Sequence, residues 1–317
     1  MTEQTITIDA MEQAVSLFGS FDENIRMIER EFGVSIVSRG SDLKIMGDAE
    51  DVSKAVRTIN SLLVLIGKGE ALTDQNVRYV LSLVNEGNED KIASMTNDSI
   101  CITAKGRPVK PKTLGQKKYT QAIDDHTITF GIGPAGTGKT YLAVAMAAEK
   151  EYCTVEDILA IARERGEKPL IVIADGICDP YNLGAIIRCA ENFQNYQERG
   201  AIEVAPLAYM RGRTLDDSFI ILDEAQNTTP EQMKMFLTRL GFRSKMVVTG
   251  DITQIDLPDG KKSGLKTVLN ILKDVDDIEI IKFTQKDVVR HRLVQDIIKA
   301  YEKYDEKQMK KRKGEDK

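Results

Sequence analysis

The sequence has few of the residues that staple a protein from outside its core. Its four cysteines, Cys101, Cys153, Cys178 and Cys189, form no C-x-x-C pair, and only two histidines accompany them. Neither a zinc site nor a disulfide scaffold is therefore expected, and the cysteines read as reduced thiols. Long apolar runs are also missing. The stretch Leu-Ile-Val-Ile-Ala at 170–174 is among the longest, far below the roughly 18 residues of a membrane span. No basic-then-apolar leader opens the chain, so a cytoplasmic protein is expected. Positive charge is not in excess: 44 Lys and Arg stand against 49 Asp and Glu, a net −5. That balance argues against wholesale coating of nucleic acid and leaves room for a local basic groove. No internal repeat is visible. What remains is an ordinary soluble composition in a chain of 317 residues, long enough for two domains with real cores.

Apolar periodicity divides the chain. Residues up to about 70 alternate helix-like patterns (11–18, 24–32, 49–66) with strand-like ones (34–38, 43–46), which predicts a small α/β unit. Residues 71–112 read as a helix over 73–83, capped by Thr73 or Asp74, then a short hairpin of 100–103 with 107–109, then a proline- and lysine-bearing connector. From 113 to 304 strands (127–132, 170–174, 219–222, 245–249, 278–283) alternate with helices (139–149, 155–165, 183–191, 230–239, 263–272, 292–304). Such alternation predicts a parallel sheet covered on both faces. Residues 305–317 read as a charged tail.

The sharpest motif is Gly133, Pro134, Ala135, Gly136, Thr137, Gly138, Lys139, Thr140, which fits G-x-x-x-x-G-K-[ST] between an apolar strand and a helix. Glycines let backbone N–H groups curl around a phosphate chain, and the helix N-terminus adds positive potential. Lys139 can then reach the β- and γ-phosphates and the Thr140 hydroxyl can ligate Mg²⁺. The apolar run 219–222 ends in Asp223-Glu224-Ala225-Gln226. Carboxylates at the C-terminal end of a parallel strand face the crevice where ligands bind, so Asp223 would hold Mg²⁺ and Glu224 would orient or deprotonate the attacking water. After the next strand come Thr249-Gly250-Asp251 and Gln254. A polar residue there can sense the γ-phosphate; a plain turn with Asp251 as a helix cap is an equal reading. Arg290 and Arg292 follow the last strand and can stabilise transition-state charge or simply begin a solvated helix. Gln116, one short helix before the phosphate loop, carries an amide able to read a base edge.

Together these residues resemble the PhoH family of P-loop ATPases, which look like the motor half of superfamily 1 helicases. The match is carried by 18–29, 111–123, 127–147, 200–259 (with FIILDEAQ and VTGDITQIDLP) and 287–301 (DVVRHRLVQDIIKAY). The resemblance implies a RecA-like P-loop NTPase sheet preceded by a small KH-like α/β domain. It also implies ATP and Mg²⁺ as cofactors, ATP hydrolysis linked to RNA metabolism, single-stranded RNA as a partner, and ring-like homo-oligomers. Residue by residue it implies Gln116 on adenine, Lys139 and Thr140 on phosphate and magnesium, Asp223 and Glu224 as the hydrolytic pair, Gln254 as sensor and Arg290 as the arginine finger. In the KH-like unit Gly19-Ser20-Phe21-Asp22 stands where an RNA-binding KH module carries G-x-x-G.

One block departs from the family. Residues 154–192 resemble instead the first motif of SpoU/TrmH RNA ribose methyltransferases, with Asp175, Asp179, Pro180, Asn182, Gly184, Ile186, Arg188, Ala190 and Glu191 at the matching places. By that resemblance Asn182 and Arg188 would work at the ribose hydroxyl. Such an enzyme needs a full domain of some 100–150 residues, and its cofactor region carries a glycine-rich strand end and an S-L-N type motif, neither of which appears downstream of Glu191. The expectation is a composite sequence, recombined or engineered, in which 170–174 serves as a sheet strand and 183–191 as its covering helix. A P-loop ATPase is thus the leading reading, beside a non-hydrolysing ATP-binding module and an RNA 2′-O-ribose methyltransferase.

Overall fold

A computed structural model describes residues 2–8, 10–90, 92, 99–102, 108–149, 170–175, 202–258 and 260–289, with positions 294, 297, 300 and 301. The first elements are β1 (Thr2–Thr7), α1 (Met11–Phe18), α2 (Glu23–Phe32), β2 (Ser35–Arg39), β3 (Asp42–Gly47) and α3 (Ala49–Gly67). The strands form an antiparallel sheet in the order β1-β3-β2. Strand β1, with the sequence TEQTIT, is nearly all exposed and escapes hydropathy patterning. Leu17, Ile28, Ile45, Ile59 and Leu62 make the core between this sheet and its helices, each without exposed surface. Burying a side chain of that kind contributes roughly 1.5–3 kcal/mol.

Helix α4 (Asp74–Asn85) begins at Thr73, whose hydroxyl accepts the Asn76 N–H, so Thr73 rather than Asp74 is the cap. Its apolar stripe, Val77, Val80, Leu81 and Val84, packs into the same core. A two-residue hairpin follows, β4 (Cys101–Ile102) against β5 (Pro108–Val109). Helix α5 (Leu114–Asp125) is capped in the same way by Thr113.

The second core lies around β6 (Ile128–Ile132), β7 (Leu170–Asp175), β8 (Ile202–Ala205), β9 (Ser218–Asp223), β10 (Lys245–Gly250) and β11 (Ile278–Lys282). They form one parallel sheet in the order β11-β6-β10-β9-β7-β8. The central strands β6 and β9 are buried at every position, as a sheet with both faces covered requires. Helices α5 and α6 (Lys139–Glu149) contact it at β6, β9 and β11. On the other face, α7 (Pro230–Leu237) and α8 (Gly264–Ile271) contribute Met233, Phe236, Leu265 and Val268 to a core with Phe130, Ile220 and Val248.

The strand expected at 170–174 is present and takes its place between β9 and β8. β8 itself and β1 were not expected from the sequence. The helices expected at 155–165 and 183–191, and most of 292–304, lie outside the described residues, as do Asn182 and Arg188. No helix among the described residues is long and apolar enough to cross a membrane.

Candidate functional site

The phosphate loop occupies the C-terminal edge of the sheet, between β6 and α6. Gly133, Gly136 and Gly138 sit at φ of 151°, 84° and 78°, values that a side chain tolerates poorly. At Gly133 space is closed too, because a Cβ would stand 2.6 Å from the Phe283 carbonyl oxygen. Neighbouring segments hold the loop by its outward carbonyls: Gln116 Nε2 donates to Thr137 O (2.9 Å) and Val289 N donates to Gly136 O (2.8 Å). Lys139 is buried, its ammonium donating to Gly133 O at 2.7 Å and Pro134 O at 2.9 Å. The cation is thus already inside the loop's curl.

Asp223, at the end of β9, lies across from this loop. Its Oδ1 accepts three hydrogen bonds, from Thr140 Oγ1 (2.9 Å), Thr249 Oγ1 (2.6 Å) and the Glu224 N–H (2.9 Å). Its Oδ2 is buried and has no hydrogen-bond partner among the described residues. A buried carboxylate oxygen left unmatched carries a desolvation penalty. A cation placed there would remove the penalty and would also meet the Thr140 hydroxyl, so these oxygens fit a hard divalent ion. Nearby, the fully buried Tyr119 phenol is pushed well above its ordinary pKa, first by burial and then by the Asp223 charge.

Glu224 follows at φ 51°, ψ 34°, a left-handed conformation that costs a non-glycine residue free energy. The conformation turns the chain at the mouth of the crevice. Its carboxylate accepts from Gln226 Nε2 at 2.6 Å, and the other end of that buried amide, Oε1, accepts the Asp251 N–H at 3.0 Å. Gln226 therefore ties the end of β9 to the end of β10. Asp251 is a turn residue here, not a helix cap: its Oδ1 accepts from Thr253 N and Oγ1, while Ser263 caps α8. Gln254 lies exposed on that turn.

Gln116 is buried, with Oε1 accepting the Lys112 N–H at 2.6 Å and Nε2 on the loop. The structure thus brings Gln116, the loop residues 133–140, Asp223 and Glu224 to one edge of the sheet. Arg290 lies outside the described residues; Val289, the residue before it, is described. Three contributors were missed by sequence reading. Thr249 and Gln226 stood inside recognised motifs without a role. Asp287 is buried in the turn after β11, accepting Thr113 Oγ1 (2.6 Å), Thr284 N (2.9 Å) and Thr284 Oγ1 (3.2 Å).

A family model described as PhoH-like protein matches residues 108–165 and 173–302, breaking at 166–172 inside the atypical block. A PhoH-like protein of Mycobacterium tuberculosis (strain ATCC 25618 / H37Rv) is 48% identical over 303 residues, 92% of this chain and 86% of its own. The PhoH-like protein of Bacillus subtilis (strain 168) is 44% identical over 317 residues, 96% of this chain and 99% of its own. Protein PhoH of Escherichia coli (strain K12) is 35% identical over 268 residues, 81% and 74% of the two chains. Among solved structures, Bacteroides Pif1 bound to ssDNA aligns at 16% identity and a TM-score of 0.26 over 54% of this chain and 42% of that one, a likeness too low to bear on fold or function. On the family match and these identities, the chain belongs to the PhoH-like protein family.

Proposed function

We propose that the protein is a Mg²⁺-dependent P-loop ATPase that hydrolyses ATP in RNA metabolism. One observation carries the reading: a buried carboxylate oxygen, Asp223 Oδ2, has no hydrogen-bond partner among the described residues, on the residue that binds the Thr140 hydroxyl, at the mouth of a glycine loop holding an ammonium group. Magnesium, when bound, neutralises charge on the β- and γ-phosphate oxygens. Thr140 and Asp223 would hold it, with Thr249 fixing the Asp223 rotamer through Oδ1. Lys139 exchanges the carbonyl oxygens of Gly133 and Pro134 for phosphate oxygens, and the N–H groups of the loop and of the first turn of α6 line the rest of the phosphate chain. Glu224 orients the attacking water and accepts its proton, with its carboxylate steadied by Gln226. Gln254 senses the γ-phosphate and Arg290 supplies further positive charge. Gln116 braces the loop and, with its remaining amide hydrogen, reads the base.

The N-terminal unit, 1–70, is read as KH-like: the order β1-α1-α2-β2-β3-α3 with sheet order β1-β3-β2 supports it. It is followed by a connecting unit (71–112), the ATPase domain (113–304) and the charged tail (305–317). Single-stranded RNA as partner, a ring-like homo-oligomer and residence in the cytoplasm rest on the family resemblance. The test is phosphate release from ATP with and without single-stranded RNA. Release should vanish in Lys139→Ala and in Glu224→Gln, and rise with RNA. An unchanged rate in Glu224→Gln would overturn the hydrolytic assignment, and tight ATP binding without release would favour a non-hydrolysing module.

A further inference from the structure

Tyr119, on α5, is fully buried, and its hydroxyl has no hydrogen-bond partner among the described residues. Its ring lies in a core with Phe219, Ile221 and Val247 and meets Phe283 edge to face, centroids 5.3 Å apart. A phenylalanine would fill that space without the cost of a desolvated hydroxyl. We infer that Tyr119 is a positioning residue of the magnesium site, its hydroxyl holding the Asp223 carboxylate through one enclosed water.

Strand register puts the two groups on one row across the sheet. Gly131 of β6 pairs with Thr249 of β10. Val248 pairs with Leu222 of β9, so the next residues, Thr249 and Asp223, also stand side by side. The 2.6 Å bond from Thr249 Oγ1 to Asp223 Oδ1 follows from that placement. Side chains alternate along a strand. Phe219 and Ile221 therefore share a face with Asp223, and Val247 shares one with Thr249; it is the face on which the Tyr119 ring packs.

The phenol enters the row at Gly131. A Cβ on that glycine would stand 2.7 Å from the ring Cε2, 2.9 Å from Cζ and 3.1 Å from Oη. Only a residue without a side chain admits the hydroxyl end of the ring there. The row thus runs from Tyr119 Oη past Thr249 to Asp223, and the Asp223 charge reaches the phenol. Both ends carry a buried atom without a partner among the described residues, Tyr119 Oη and Asp223 Oδ2.

These two atoms are complementary, since one is a donor and the other an acceptor. A buried water needs two to four polar partners, and the row offers Tyr119 Oη, Asp223 Oδ2 and Thr249 Oγ1. The phenol donates to the water and the water donates to Oδ2. With Thr249 on Oδ1, the carboxylate is then held at both oxygens from the sheet side. A carboxylate oxygen has two lone pairs, so Oδ2 keeps one for an ion shared with Thr140.

The inference rests on the proposed magnesium site, and the test separates the two. In the full-length protein, Tyr119→Phe deletes the hydroxyl and keeps the ring. Binding of Mn²⁺ beside ADP, followed by electron paramagnetic resonance, should weaken about tenfold, as when the partner of a ligating carboxylate is removed. Affinity for ADP in EDTA should stay within about twofold of the parent, because the hydroxyl touches no part of the phosphate loop that the metal-free nucleotide uses. Mn²⁺ affinity unchanged in Tyr119→Phe would overturn the inference and leave the Asp223 site standing. An equal loss of ADP affinity in EDTA would also overturn it, by showing that the phenol acts through the fold. Failure of the parent to bind Mn²⁺ beside ADP would overturn both.

Discussion

Asp287 offers the most quantitative check on how the site is held. It is 6% exposed and its carboxylate takes three hydrogen bonds, joining the turn after β11 to the cap of α5. Thr113, the donor at 2.6 Å, is itself 3% exposed and accepts the Gln116 N–H that starts the helix. Hydrogen bonds to a charged group contribute about 1.5–3 kcal/mol each, and a buried donor left without its acceptor costs about 1–3 kcal/mol. The three bonds share one acceptor group and do not add fully. Asp287→Ala should therefore cost about 3–4 kcal/mol, and Asp287→Asn about 1–2 kcal/mol less than that, because its carbonyl oxygen keeps one donor while its amide hydrogens face another. Urea unfolding followed by far-UV circular dichroism reads the change in midpoint. Both loop carbonyls braced from this knot, Gly136 and Thr137, should also lose support, so ATP affinity should fall about tenfold, a change of about 1.4 kcal/mol. A loss under about 1 kcal/mol in Asp287→Ala would refute the idea that this carboxylate carries the junction.

Gln226→Ala should slow phosphate release about 10- to 100-fold while leaving the ATP dissociation constant within about threefold, because the amide bonds the Glu224 carboxylate and the Asp251 N–H rather than the loop or Asp223; parallel loss of affinity in calorimetry would contradict that role. Gly115→Ala should destabilise the protein, since a Cβ there would stand 2.4 Å from Asp287 Oδ1, and thermal melting reads it; an unchanged melting temperature would mean that the turn yields freely. Burial pushes the Tyr79 phenol up to about 12, against an ordinary value near 10. The folded state thus holds its proton longer than the unfolded one. The corresponding stability, up to about 2 kcal/mol, is complete below pH 10 and is lost as pH rises toward 12. Tyr79→Phe should flatten that alkaline decline relative to the parent in urea titrations at pH 9 to 11.5, and identical slopes would count against the burial. Lowering pH acts in the opposite direction at Glu203, whose carboxyl Arg213 holds below its usual range. The pair's contribution is present above the ordinary carboxylate range and lost as pH falls through the depressed value, and at partial exposure it amounts to less than about 1 kcal/mol; Arg213→Ala should remove this acid sensitivity, and an unaltered acid limb would show the pair to be inert.

The phosphate loop and the acidic pair were legible because each is a local signal: glycines and a lysine at fixed spacing between a strand and a helix, and two carboxylates ending an apolar run. The strand at 170–174 was legible for a similar reason, since a short unbroken apolar run with three β-branched residues at its centre suits a strand. β1 was not, because its mostly polar sequence, Thr-Glu-Gln-Thr-Ile-Thr, is exposed at five of its six positions and it pairs with β3. The supporting residues were hidden for a different cause. Thr249 meets Asp223 across 26 positions, Gln226 meets Asp251 across 25, and Thr113 meets Asp287 across 174. Those contacts depend on sheet order, and neither a motif nor a hydropathy period encodes which strand ends become neighbours. Once β9 and β10 lie side by side, Thr249 faces Asp223 and Gln226 can span to Asp251; once β11 pairs with β6, the turn bearing Asp287 reaches the cap of α5. The local motifs therefore determine which atoms can meet a phosphate, while the order of the parallel strands determines how firmly those atoms are held.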